Sequence, residues 1–128
     1  MLTRRQILIL LVVGLLLWVG ATATIRFYPQ GFTRSAAGDL SFAITPFFAW
    51  LSVEAIRRSA RLSRDQLLAG VALVGGIAMM IDGAALRWAA QLYGSDPHGL
   101  HRGAAWLLWG YGISLAAALL MVRRRPSA

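Results

Sequence analysis

Residues 7–25 read ILILLVVGLLLWVGATATI, nineteen residues without a charge. A membrane-spanning helix needs about 20 mostly apolar residues, within a range of about 17–25. Lipid offers the backbone no hydrogen-bond partners, so a spanning segment is either a helix or part of a closed barrel. Barrel strands alternate apolar and polar residues over about ten positions. This run is continuous, and it predicts a helix.

Three further runs follow the same rule: Leu40–Ile56, Leu67–Ala90 and Gly103–Val122. The expectation is an all-α, four-helix antiparallel membrane bundle forming a single domain over residues 1–128. Composition agrees. The chain is 58% hydrophobic and 14% charged, where an ordinary soluble domain is about 25% charged. A soluble globule of this size has too much exterior to hide such a surface.

The breaks between runs carry turn chemistry. Pro29 and Gly31 interrupt the chain after the first run. Residues 94–99 read GSDPHG, a turn signal between the third and fourth. Asp39 is expected to cap the second helix and Ser63 the third. Pro126 lies beyond the fourth. Pro46 sits inside the second run and should kink that helix or free a carbonyl. The short connections make neighbouring helices antiparallel.

All thirteen positive side chains are arginines, giving a net charge of +8. Nine belong to one side: Arg4, Arg5, Arg57, Arg58, Arg61, Arg64, Arg123, Arg124 and Arg125. Arg26, Arg34, Arg87 and Arg102 belong to the other. Basic residues concentrate on the cytoplasmic side of membrane proteins. The expectation is therefore a multi-pass protein of the cytoplasmic membrane with both termini inside. The arginines punctuate apolar runs and form no stripe along a soluble surface, so nucleic acid is not an expected partner. Arg4, Arg5, the first run and Ala21-Thr22-Ala23 also have the outline of a cleavable signal peptide. The run exceeds the usual apolar core of about 7–15 residues, which favours a retained helix.

The chain has no cysteine, so it has no disulfide and no thiolate metal site. It has no phosphate-binding glycine loop, no HExxH motif and no haem-attachment motif. No cofactor is implied, and the reading leans away from an enzyme.

Ionisable groups inside spans invite functional hypotheses. Asp82 lies fifteen residues beyond Leu67, which is ~22 Å along a helix. It is either a coupling or selectivity carboxylate or a polar contact for substrate, or else a structural group, ion-paired with Arg26 or Arg102 or partly solvated from the outer surface. Arg87 is five residues further on, ~500° around the helix, and shares no face with it. Glu54 precedes Arg57 and Arg58 at the spacing of helix-surface ion pairs. With Asp39 these residues are the candidates for a ligand site or ion pathway. His98, His101 and Asp96 form a weaker metal-binding candidate, which Pro97 and Gly99 place in a loop.

Trp18, Phe27, Tyr28, Phe32, Trp88 and Tyr93 read as an interfacial aromatic belt. Trp106 and Trp109 are expected to pack against a neighbour, or to line a pocket beneath the outer loops. Gly110, Ser114 and Ala118 recur every four residues, and Gly75 and Gly76 adjoin Ala72. Small residues at that spacing let helices approach closely, within the bundle or between copies.

Size and span count resemble the small multidrug-resistance transporters. That family carries an embedded acid in its first helix, and residues 7–25 have none. Residues 17–26, LWVGATATIR, with the glycine-rich outer loop, resemble small bacterial four-helix membrane proteins of unknown function. That resemblance implies no activity. Three functional expectations result. The first is a non-catalytic assembly or accessory subunit, a homo-oligomer or part of a larger complex, with membrane lipids as its other partners. The second is a small homo-oligomeric transporter or channel using Asp82. The third is a ligand-, quinone- or metal-binding redox component with an outward-facing pocket.

Overall fold

The computed structural model describes residues 1–124. Arg125 and Pro126 lie outside the described residues. Four helices follow one another: α1 (Arg4–Phe27), α2 (Ala36–Ser59), α3 (Arg64–Trp88) and α4 (Pro97–Arg123). Short 3₁₀ turns at Pro29–Phe32 and Ala90–Leu92 lie in the α1–α2 and α3–α4 connections. Each helix is long and apolar enough to cross a membrane. At ~1.5 Å per residue, 24 residues of α1 extend ~36 Å, beyond the ~30 Å hydrocarbon core.

The helices overrun the apolar runs because polar caps extend them. Thr3 and Gln6 make a capping box on α1, and Ser63 and Gln66 make one on α3. Ser35, not Asp39, caps α2, and Asp39 lies exposed in its first turn. Asp96 caps α4 and Pro97 takes its first position, where a missing N–H costs nothing. α4 therefore starts six residues before the expected Gly103. α3 stops at Trp88, two residues before the expected Ala90, because Ala89 leaves helical geometry. At the α2–α3 turn Arg61 takes a φ of 49°. Gly94 has a φ of 142°, which is favourable only without a Cβ.

The helices pack in the order α1–α3–α4–α2, and α1 and α2 touch only sparingly. The bundle thus has three tight seams and one loose one. At the arginine-rich end, Leu10, Val53, Leu67 and Val71 form a buried core. The N-terminal ends of α1 and α3 are tied there by paired amides, Gln6 Nε2 donating to Gln66 Oε1 at 3.0 Å and Gln66 Nε2 to Gln6 Oε1 at 3.2 Å. At the far end a second core holds Ile25, Phe32, Ala85, Tyr93 and Leu107.

Large apolar side chains also face outward. Leu16 is 67% exposed, Met80 75% and Trp88 77%. Such a girdle would be an aggregation hazard in water, and it suits contact with lipid.

Gly110, Ser114 and Ala118 share the face of α4 that looks into the bundle. Ala118 is fully buried in the first core, while Gly110 and Ser114 border a cleft. A Cβ placed on Gly75 would meet only Met79 and Tyr111, at 4.0 Å, and one on Gly76 would meet open space. Tight approach is found elsewhere. A Cβ on Gly103 would stand 2.8 Å from Ile25 of α1.

Candidate functional site

The loose seam opens into a cleft of about 570 Å³. α1 and α2 are its walls, and α3 and α4 its floor. Leu16 and Gly20 on one lip, and Ile44 and Phe48 on the other, are exposed. Along α2 it extends from Ser41 to Ile56, ~22 Å at ~1.5 Å per residue. Its volume is that of a small-molecule site, for which about 300–1,000 Å³ is usual. Among the described residues no arginine, histidine or carboxylate lines it.

All but one of the side-chain donors of the lining are already engaged. Thr24, Ser41, Thr45, Ser52 and Ser114 each donate to the carbonyl four residues earlier on their own helix. Trp106 Nε1 donates to Thr45 Oγ1 at 2.8 Å. Trp18 Nε1 and the Tyr111 hydroxyl donate to Asp82. The Tyr28 hydroxyl, on a half-exposed ring near the far end, has no hydrogen-bond partner among the described residues.

Behind this wall sits Asp82, 4% exposed. Its Oδ1 accepts from Trp18 Nε1 at 2.8 Å and from the Tyr93 hydroxyl, and its Oδ2 accepts from Tyr111. Three donors on two oxygens is the pattern that satisfies a carboxylate buried away from cations. The three donors come from α1, α4 and the turn after α3, so this one acid joins three elements to its own helix. Burial, and then the hydrogen bond to Asp82, push the Tyr93 phenol up to about 12. Thr22, one turn beyond Trp18 on α1, holds a buried hydroxyl without a partner among the described residues.

This corrects the expected ion pair. Asp82 pairs with neither Arg26 nor Arg102. Arg26 Nη1 instead donates to the Gln91 carbonyl at 2.5 Å, tying the end of α1 to the turn after α3. Arg87 is exposed and Arg102 half-buried, and neither has an ionic partner among the described residues. The ionic contacts found are those of Glu54 with Arg57 and Arg58, each at 2.6 Å, as the spacing foretold.

The histidine region also differs from expectation. His98 and His101 lie on the first turns of α4, not in a loop, and both are exposed. The Asp96 carboxylate accepts from the backbone N–H groups of His98 and Gly99, so it is occupied as a cap. Among the described residues no group of three His, Cys, Asp or Glu is placed to hold a metal ion.

By sequence, Trp18 and Tyr93 belong to an interfacial belt. The structure turns both inward onto Asp82. Tyr111 was missed altogether. One signal was available: a buried acid with no cation in reach requires neutral donors, and tyrosine and tryptophan are the apolar residues that carry them. Trp106 and Trp109 do pack against a neighbour, and Trp106 also borders the cleft. Phe32 closes over Trp106 with ring centroids 5.0 Å apart.

No family model matches this chain, nor does any curated protein or solved structure.

Proposed function

We propose that this protein is a non-catalytic, multi-pass protein of the cytoplasmic membrane that holds a lipophilic molecule drawn from the bilayer. The arginine-rich end faces the cytoplasm, and both termini lie there. The molecule occupies the cleft between α1 and α2.

One observation carries the reading: an apolar cleft of about 570 Å³ whose lips, α1 and α2, form the loosest of the bundle's four neighbouring seams. A molecule dissolved in lipid reaches it sideways without crossing water. Two neighbouring features fit the role. The cores at either end hold the floor rigid, and the Asp82 cluster fixes α1 to α3 and α4 while leaving α2 outside that network.

The reading is tested by photo-crosslinking with a sixteen-carbon alkyl diazirine in membranes. Labelling should map to the inward lining of the cleft, on Ala49, Val74 and Leu115. Gly110→Leu grows a side chain into the cleft from a site where a Cβ meets nothing nearer than Thr45 at 3.9 Å. That variant should fold and lose this labelling. Labelling confined to the outward girdle, equal in both proteins, would defeat the reading.

A further inference from the structure

We infer that the cleft prefers a lipophile whose polar group is a neutral hydroxyl over quinones, ketones, ethers and anions; this rests on the cleft being a binding site. A hydroxyl has one hydrogen to give and two lone pairs to receive with. Each of the five aliphatic hydroxyls in the lining spends its hydrogen on its own helix backbone. The two indole N–H groups and the Tyr111 hydroxyl spend theirs on Thr45 and Asp82. Helix backbone N–H groups are spent by construction. What the lining still offers is lone pairs.

A ligand that can only accept finds no partner along the groove short of the half-exposed Tyr28 hydroxyl at its far end. A quinone or ketone oxygen would be desolvated without compensation. An anion fares worse, since no cation among the described residues lines the cleft. The half-exposed Tyr28 hydroxyl, toward the far end, is the sole lining donor left free among the described residues. An ammonium would need a counter-charge. Asp82 is buried behind Tyr111 with three donors already on it, so the wall presents only neutral acceptors. A hydroxyl gives its one hydrogen to a waiting lone pair and needs nothing else.

The spacing of the acceptors supports an elongated ligand. Ser41, Thr45 and Ser52 are distributed along α2, with Ser114 across from them on α4. The long apolar groove accommodates a chain, and its hydroxyl has acceptors at several depths.

The test is competition against the alkyl diazirine label in the intact protein, using 1-hexadecanol and its methyl ether. The two differ in that only the alcohol donates. The alcohol should displace the label at roughly 3–10-fold lower concentration than the ether, the worth of one net hydrogen bond. Gly110→Leu should abolish the labelling that both compete for. Equal potency, or a more potent ether, with labelling still lost in Gly110→Leu, would overturn hydroxyl selection and leave the cleft reading standing. Labelling indifferent to both competitors and to Gly110→Leu would overturn both.

Discussion

Trp109 Nε1 donates to the carbonyl oxygen of Phe42 at 3.0 Å, and Phe42 is the residue four before Pro46. Proline has no N–H, so the carbonyl one turn earlier loses its helical partner. In lipid an orphaned carbonyl is costly, and a neighbouring helix must satisfy it. α4 does so with an indole. One residue before Pro46, the Thr45 hydroxyl accepts a second indole N–H of α4, from Trp106. The proline is thus the point where α4 docks on α2.

A double-mutant cycle checks this. Trp109→Phe should cost about 1 kcal/mol of that docking in the native chain, the net worth of one hydrogen bond. In a Pro46→Ala background the restored N–H takes the Phe42 carbonyl, and the same change should cost markedly less. Equal costs in both backgrounds, measured by thermal unfolding, would show that the proline and the indole are independent.

Asp82 should behave as a structural keystone. Asp82→Leu leaves Trp18, Tyr93 and Tyr111 as buried donors without an acceptor, at about 1–3 kcal/mol each. The melting temperature should fall sharply. Asp82→Asn keeps one acceptor oxygen and should lose much less. An unchanged melting temperature in Asp82→Leu would contradict the network.

The four long apolar helices were legible in the sequence because each rests on a long apolar run, as residues 7–25 show. The Glu54 pairs were legible because they are local on one helix. The Asp82 cluster was not. Its partners lie 64, 11 and 29 residues away, and only the packing order of the helices brings them together. The histidines misled for a local reason: Pro97 reads as a turn breaker, yet after an aspartate cap it opens a helix.

The Tyr93 phenol gives a pH prediction. Burial first, and then Asp82, raise it to about 12 in the folded chain, against about 10 when unfolded. Its neutral form therefore favours the fold fully below pH ~10, and that contribution is lost as pH rises through about 12. Stability should decline across this window, and Tyr93→Phe should lack that part of the decline. An ultraviolet difference titration between the two proteins should place the Tyr93 midpoint near the upper value. A midpoint near 10 would mean that the ring is solvated.

Sidedness is accessible because the chain has no cysteine of its own. Single cysteines at Ser63, in the α2–α3 turn, and Ser95, in the α3–α4 turn, can be labelled in intact cells with a membrane-impermeant maleimide. Ser95→Cys should react and Ser63→Cys should stay protected until the cells are opened. The reverse pattern would invert the proposed orientation.

The most direct measurement is native mass spectrometry of the gently extracted protein beside its Gly110→Leu variant. The account predicts that the native chain carries one lipophile of defined mass per copy, and that the variant, with its cleft filled, does not. A native chain free of any retained molecule, or equal retention by both proteins, would contradict the claim that the cleft between α1 and α2 is a binding site.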